Sequence, residues 1–249
     1  MIKNLLAATG LSLVSFGAIA ADLPSRVPAA APILAPPLFS WSGFYVGGNI
    51  GLGSKRTAQY YPDQILLFLG GSEGDSGTFV KPNSDSAFVG GLQAGYNYQV
   101  GSWVFGVQAN VEATGMSGVS TWPDYDSEKI TSKVKAFGSF TGRVGFAVQP
   151  SLLVYAKGGA AWMGAGYTDI DTSTPYSAKA SAIHWGWTVG AGLEYALTSN
   201  WSTFIEYSHA DYGSKNVTLT NSAQQNSWFY RYSNRIDTVM VGVNYKFGK

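Results

Sequence analysis

Three observations predict an all-β protein, an eight-stranded antiparallel up-and-down transmembrane β-barrel. Eight segments alternate apolar and polar residues with period 2, and the connections between them alternate between tight turns and long polar stretches. The third is the end of the chain, Val239-Met240-Val241-Gly242-Val243-Asn244-Tyr245-Lys246-Phe247, which alternates up to an aromatic as a barrel's closing strand does.

The chain opens with an export signal. Lys3 gives a positive start, Leu5 to Phe16 an apolar stretch too short to span as a helix, and Ala18-Ile19-Ala20 a small-residue cleavage site. Residues 1–20 therefore read as a signal peptide and Ala21 as the start of the mature chain. Residues 21–39 carry Pro24, Pro28, Pro32, Pro36 and Pro37 and read as an extended periplasmic arm, since proline cannot donate to a sheet ladder. The barrel is expected over residues 40–249. Its strands are placed near Trp41 to Gly53, Ala87 to Gln99, Trp103 to Ala113, Lys133 to Ala147, Leu152 to Met163, His184 to Leu197, Trp201 to Asp211 and Arg235 to Phe247. No stretch sustains a capped helical stripe.

Connections at Val100-Gly101, Gln149-Pro150 and Ser199-Asn200 are tight. Those over Ser54 to Ser86, Thr114 to Ser132, Gly164 to Ile183 and Tyr212 to Asn234 are long and polar. Outer-membrane barrels have short periplasmic turns and long outer loops, so both termini are expected in the periplasm. On the third strand Trp103, Phe105, Val107, Ala109, Val111 and Ala113 share one face, and Val104, Gly106, Gln108, Asn110 and Glu112 the other. Trp41, Tyr98, Trp103, Phe146, Trp162, Trp185, Trp201, Tyr245 and Phe247 lie near strand ends, as two interfacial girdles would. A soluble lipocalin-like barrel has the same period with its apolar face inward, so loop asymmetry and girdles decide for the membrane.

Composition removes other classes. Charged residues are only 12% and the net charge is +1, which leaves no basic face for nucleic acid. Cysteine is absent, which excludes a disulfide framework and a thiolate metal site.

Trp41-Ser42-Gly43-Phe44-Tyr45-Val46-Gly47-Gly48-Asn49-Ile50-Gly51 resembles the first strand of the alphaproteobacterial outer-membrane immunogenic proteins. These are "porin family" barrels related in architecture to the outer-membrane protein A β-barrel domain. Gly142-Arg143-Val144-Gly145-Phe146-Ala147, Gly186 to Tyr195 and Val241 to Phe247 are similar to the family's later strands. The resemblance implies an eight-stranded barrel recognised by the outer-membrane assembly machinery through Gly242, Tyr245 and Phe247. Met240 stands where the family pattern has a polar residue.

Catalytic chemistry finds little footing. A lipid-modifying barrel enzyme needs a nucleophile beside a base, and the only histidines are His184 and His209. In Ser208-His209-Ala210-Asp211 adjacent residues point to opposite faces, so the run is no relay. No cofactor or metal site is expected.

The strand charges say more. Arg143, Lys157, Glu194 and Glu206 fall on the polar face at similar heights above the tight turns and are expected to form a lumen charge layer, with Gln93 and Gln108 beside it. Ile65-Leu66-Leu67-Phe68-Leu69 is an apolar run in the first long connection, readable as a hairpin or plug or as a partner-binding patch. The expected function is a non-enzymatic outer-membrane barrel that supports envelope integrity and displays surface loops, with a small-solute porin as the alternative. Its expected partners are outer-membrane lipid, lipopolysaccharide and the assembly machinery.

Overall fold

Runs of β-branched and aromatic residues interleaved with glycine and small polar residues suit a pleated, close-packed wall, and the computed structural model is strand almost throughout. It describes residues 39–60, 80–121, 128–171, 177–221 and 226–248. The expected signal peptide, nearly all of the Pro-rich arm and the apolar run Ile65 to Leu69 lie outside these residues.

The strands are β1 (Gly43–Tyr60), β2 (Val80–Val100), β3 (Trp103–Thr114), β4 (Ser117–Thr121), β5 (Glu128–Gln149), β6 (Leu152–Asp171), β7 (Ser177–Ala196), β8 (Trp201–Asn221) and β9 (Asn226–Lys246). Both β3 and β4 pair with β5, in succession along it, so these two are pieces of one stave and nine strands make eight staves. The order runs β3-β2-β1-β9-β8-β7-β6-β5, and pairing of β3 with β5 closes the barrel. Every neighbouring pair is antiparallel.

Three connections at one end are tight, one of them turning at Gly101 with φ of 61°, a left-handed value that glycine adopts at little cost. We call this the turn end and the opposite end the loop end. Above the turn end, outward side chains are apolar on every stave: Phe44 to Leu52 on β1, Val100 to Phe88 on β2, Tyr245 to Val239 on β9. Ile50, Leu92 and Phe140 are among the most exposed. Aromatics border this belt, with Tyr98, Trp103, Trp201 and Phe247 toward the turn end and Phe88, Trp185 and Trp187 toward the loop end. Trp41, expected in the girdle, is instead only 2% exposed and faces the lumen, because it precedes β1 and folds across the barrel mouth.

The strands are much longer than the alternation suggested. Where the stretches expected as loops are described, they are almost entirely strand: β8 continues to Asn221 and β9 begins at Asn226. Above the belt the alternation changes sense, with Ser54, Arg56, Asp237, Arg235 and Lys133 outward and Met116, Tyr167, Tyr232 and Ile236 inward.

This upper region is not a closed wall. The β2–β3 ladder ends at Val89 opposite Thr114, and among the described residues no ladder pair joins β2 to β4 above it; the Asp85 carboxylate instead accepts from the Ser117 N–H. On the far side, the β7–β8 ladder stops at Trp187 opposite Asp211 and resumes only at Lys179 opposite Thr220. A bulge in β8 accompanies that gap, with Gly213 at φ of 61° between Asp211 and Ser214. Lys215 Nζ reaches across it to the Ile183 carbonyl at 2.8 Å. The two seams divide the upper region into two sheets, β2-β1-β9-β8 and β7-β6-β5-β4, which enclose an apolar core.

Candidate functional site

Eight staves enclose a lumen just wide enough for side chains to fill, and what fills it decides what the barrel can do. From the turn end upward the contents fall into three layers.

The first is apolar. Trp41 lies against a cluster of Val104, Leu153, Tyr155 and Ala196, with Phe39 packed edge-on to it at 4.6 Å. The Trp41 backbone N–H donates to Gln99 Oε1 at 2.8 Å, and Lys246 reaches the Ser40 carbonyl while its Nζ lies 4.6 Å from the Phe39 ring. The segment entering β1 thus covers the turn-end mouth.

The second layer is charged. Arg143 Nη2 lies 2.8 Å from Glu194 Oε2, and Lys157 Nζ lies 2.6 Å from Glu206 Oε1. These are the four residues expected as a charge layer, and each basic member on β5 or β6 is joined to an acidic member on β7 or β8. A second route links Arg143 to Glu194. Arg143 donates to the Tyr45 hydroxyl (3.3 Å), Tyr45 to Gln108 Oε1 (2.9 Å), Gln108 to Gln93 Oε1 (3.4 Å), Gln93 to Asn244 Oδ1 (2.7 Å) and Asn244 to Glu194 Oε1 (2.9 Å). The result is a ring of hydrogen bonds that draws on β5, β1, β3, β2, β9 and β7. The other two staves join through Tyr155 on β6, whose hydroxyl donates to Glu206 Oε2 on β8 at 2.9 Å. The Tyr155 ring also lies 3.9 Å from the Arg143 guanidinium carbon.

Glycines on facing strands make this packing possible. A Cβ at Gly95 would meet the Tyr45 ring at 2.5 Å, and one at Gly192 would meet the Tyr155 hydroxyl at 2.6 Å. Glu112 is a fifth ionisable side chain in the layer, on the polar face of β3 but outside the two ion pairs. It accepts from Asn110, and among the described residues its Oε2 has no hydrogen-bond partner. Tyr45 and Tyr155 were also missed, since aromatics are not an obvious mark of a polar layer; their position in phase with Gly47 and Lys157 was the available signal.

The third layer is apolar again, built from Met116, Val134, Phe137, Met163, Ile236 and Met240 among others, with Tyr167 and Tyr232 stacked at 4.3 Å. Met240, out of pattern in the sequence, is a member of this core. Several polar groups here are paired: Lys55 Nζ donates to the Ser132 carbonyl (3.0 Å), Thr57 to Asn234 Oδ1 (2.9 Å), and the Tyr167 hydroxyl meets His184 Nε2 at 2.8 Å. Between the second and third layers a cavity of about 20 Å³ is lined by Asn110, Ser139, Lys157, Thr188, Ser208 and Tyr212 among others, which is room for roughly one water.

The remaining predicted residues lie elsewhere. Gly242 faces inward, where a Cβ would meet the Phe204 ring at 2.6 Å. Tyr245 packs on Trp201 and on Phe247, both at 5.1 Å, and the Phe247 N–H donates to the Phe44 carbonyl at 2.8 Å. His209 points outward and meets Asp237 at 2.8 Å, while Ser208 points inward to Glu206. No serine is therefore brought beside His209 by this sequence run.

With the geometry in place, comparison with known proteins gives the family. The model of the outer membrane protein beta-barrel domain matches residues 25–247. The chain is 31% identical to the 31 kDa outer-membrane immunogenic protein of Brucella melitensis biotype 1 over 99% of its own length and all of that protein. Among solved structures, the outer membrane protease OmpT of Escherichia coli superimposes with a TM-score of 0.54 at 11% identity, covering 84% of this chain and 98% of that one. The outer membrane protein OprG of Pseudomonas aeruginosa gives 0.52 at 11% identity, covering 85% and 99%. At such identities these two likenesses show the fold alone. A closed antiparallel barrel with an apolar outer belt, a sequence match over most of its length and a full-length outer-membrane relative lead to one conclusion: the chain belongs to the outer membrane protein beta-barrel domain family.

Proposed function

We propose that this protein is a non-enzymatic, non-conducting barrel that supports the integrity of the outer membrane and presents its loop end at the cell surface. The observation that carries this reading is the filled lumen, in which two buried ion pairs and a hydrogen-bonded ring lie between two apolar layers. Buried charges that are mutually paired hold a structure closed, since opening it would strand them. The orientation follows from barrel practice, with tight turns and both termini in the periplasm and long connections outside. Gly242, Tyr245 and Phe247 supply the last-strand pattern for the assembly machinery. The likeness to a protease carries no activity to this chain, because at 11% identity it shows the fold alone.

A strain lacking the protein separates this reading from the porin alternative. The structural role predicts increased sensitivity to detergent with unchanged uptake of small sugars. Slower sugar uptake at normal detergent resistance would instead establish a solute channel.

A further inference from the structure

On β1, β8 and β9 the apolar belt ends abruptly. Ile50 and Leu52 on β1 and Val241 and Val239 on β9 form an exposed apolar stripe, and above it the outward residues become Ser54, Arg56, Asp237 and Arg235. Arg56 and Arg235 stand directly opposite each other in the β1–β9 ladder. Like charges in that position repel, so the pair calls for an anion. The neighbouring carboxylates do not fully supply it. Asp237 is already held by the Tyr207 hydroxyl (2.7 Å) and by His209 (2.8 Å). Asp211 takes Arg235 Nε at 2.8 Å, which leaves that side chain's outer nitrogens open on a side chain 58% exposed. Among the described residues Arg56 forms no ion pair, and its charge acts on Asp237 and Tyr207 from a distance.

From this arrangement we infer that Arg56 and Arg235 form a binding site for the phosphate of a membrane lipid, whose acyl chains run down the stripe of Leu52, Ile50, Val239 and Val241. A guanidinium presents a planar fork that matches phosphate oxygens in pairs, and two such side chains at opposed positions on neighbouring strands can bracket one headgroup. The stripe immediately below commits the site to a lipid rather than to a soluble phosphate. The inference is independent of whether the lumen conducts.

The test is native mass spectrometry of the purified mature barrel in detergent. The probes are phosphatidic acid, phosphatidylcholine and, as a headgroup without chains, glycerol 3-phosphate. Wild type should bind phosphatidic acid in preference to phosphatidylcholine, and R56Q/R235Q should bind it about tenfold more weakly. The control K133Q/K135Q, which removes two exposed cations from β5 on another part of the rim, should bind as wild type does. Glycerol 3-phosphate should not compete. Heat-modifiable migration confirms that each variant is folded. Equal weakening in both double variants, or no preference for the phosphate monoester, would overturn the site; competition by glycerol 3-phosphate would overturn its assignment to lipid.

Discussion

Within the apolar belt this barrel is apolar outside and charged inside, with Val107, Ala109 and Val111 facing out from β3 while Gln108 and Glu112 face in. Above the belt the same strands reverse, with Arg56, Asp237 and Arg235 outward and Met116, Tyr167, Tyr232 and Ile236 buried between two sheets. One period-2 pattern therefore serves two solvents. Where lipid surrounds the wall, apolar groups belong outside and the polar lumen must satisfy itself; where water surrounds it, the interior is a hydrophobic core of the ordinary kind. The seams fit this contrast. In hydrocarbon every backbone group needs a ladder partner, and the belt ladders are continuous, whereas both interruptions lie above it, where water and side chains such as Asp85 and Lys215 can stand in.

The largest effect should come from breaking the charge layer. Glu206→Ala removes the partner of Lys157 and the acceptor of Tyr155, and should cost about 3–5 kcal/mol, as for a broken buried pair. Replacing both members, Lys157→Leu with Glu206→Met, should be far milder, and denaturant unfolding in lipid vesicles compares the two. A double variant no better than the single one would refute the pairing. In the upper core Ile236→Ala should cost about 2–5 kcal/mol through the cavity it leaves, with the loss seen in amide exchange of the region above the belt before that of the charge layer. Uniform acceleration throughout the barrel would contradict two separable interiors.

Outer-face substitutions sharpen the contrast further. Ala109→Arg in the belt should cost about 2–4 kcal/mol, whereas Ser54→Arg above it should cost roughly 0–1, by the depth dependence of a cation on a barrel's lipid side. Equal costs in vesicle unfolding would mean the belt is misplaced. Least of all should come from Asp211→Asn, which loses a pair whose arginine is largely exposed and should shift stability by no more than about 1 kcal/mol.

The sequence was legible where its alternation kept one sense. Eight staves, the tight turns, the faces of β3 and the four charges Arg143, Lys157, Glu194 and Glu206 could be placed by counting from the turns, because each inward residue advances by two. Strand ends at the loop side could not, since Ser54 to Ser86 and Tyr212 to Asn234 read as polar loops once apolar residues moved inward and water-facing ones outward. Trp41 was read as a girdle aromatic because alternation cannot show that the chain before β1 folds over the mouth. The ring through Tyr45, Gln108, Gln93 and Asn244 depends on stagger between staves, which no single strand's pattern contains.

The central claim is that side chains close this lumen at belt height. Single-channel recording of the purified monomeric protein in planar bilayers tests it most directly. The filled lumen predicts no steady conductance from wild type and brief openings from Glu206→Ala. A large, stable conductance from the wild-type monomer would contradict it.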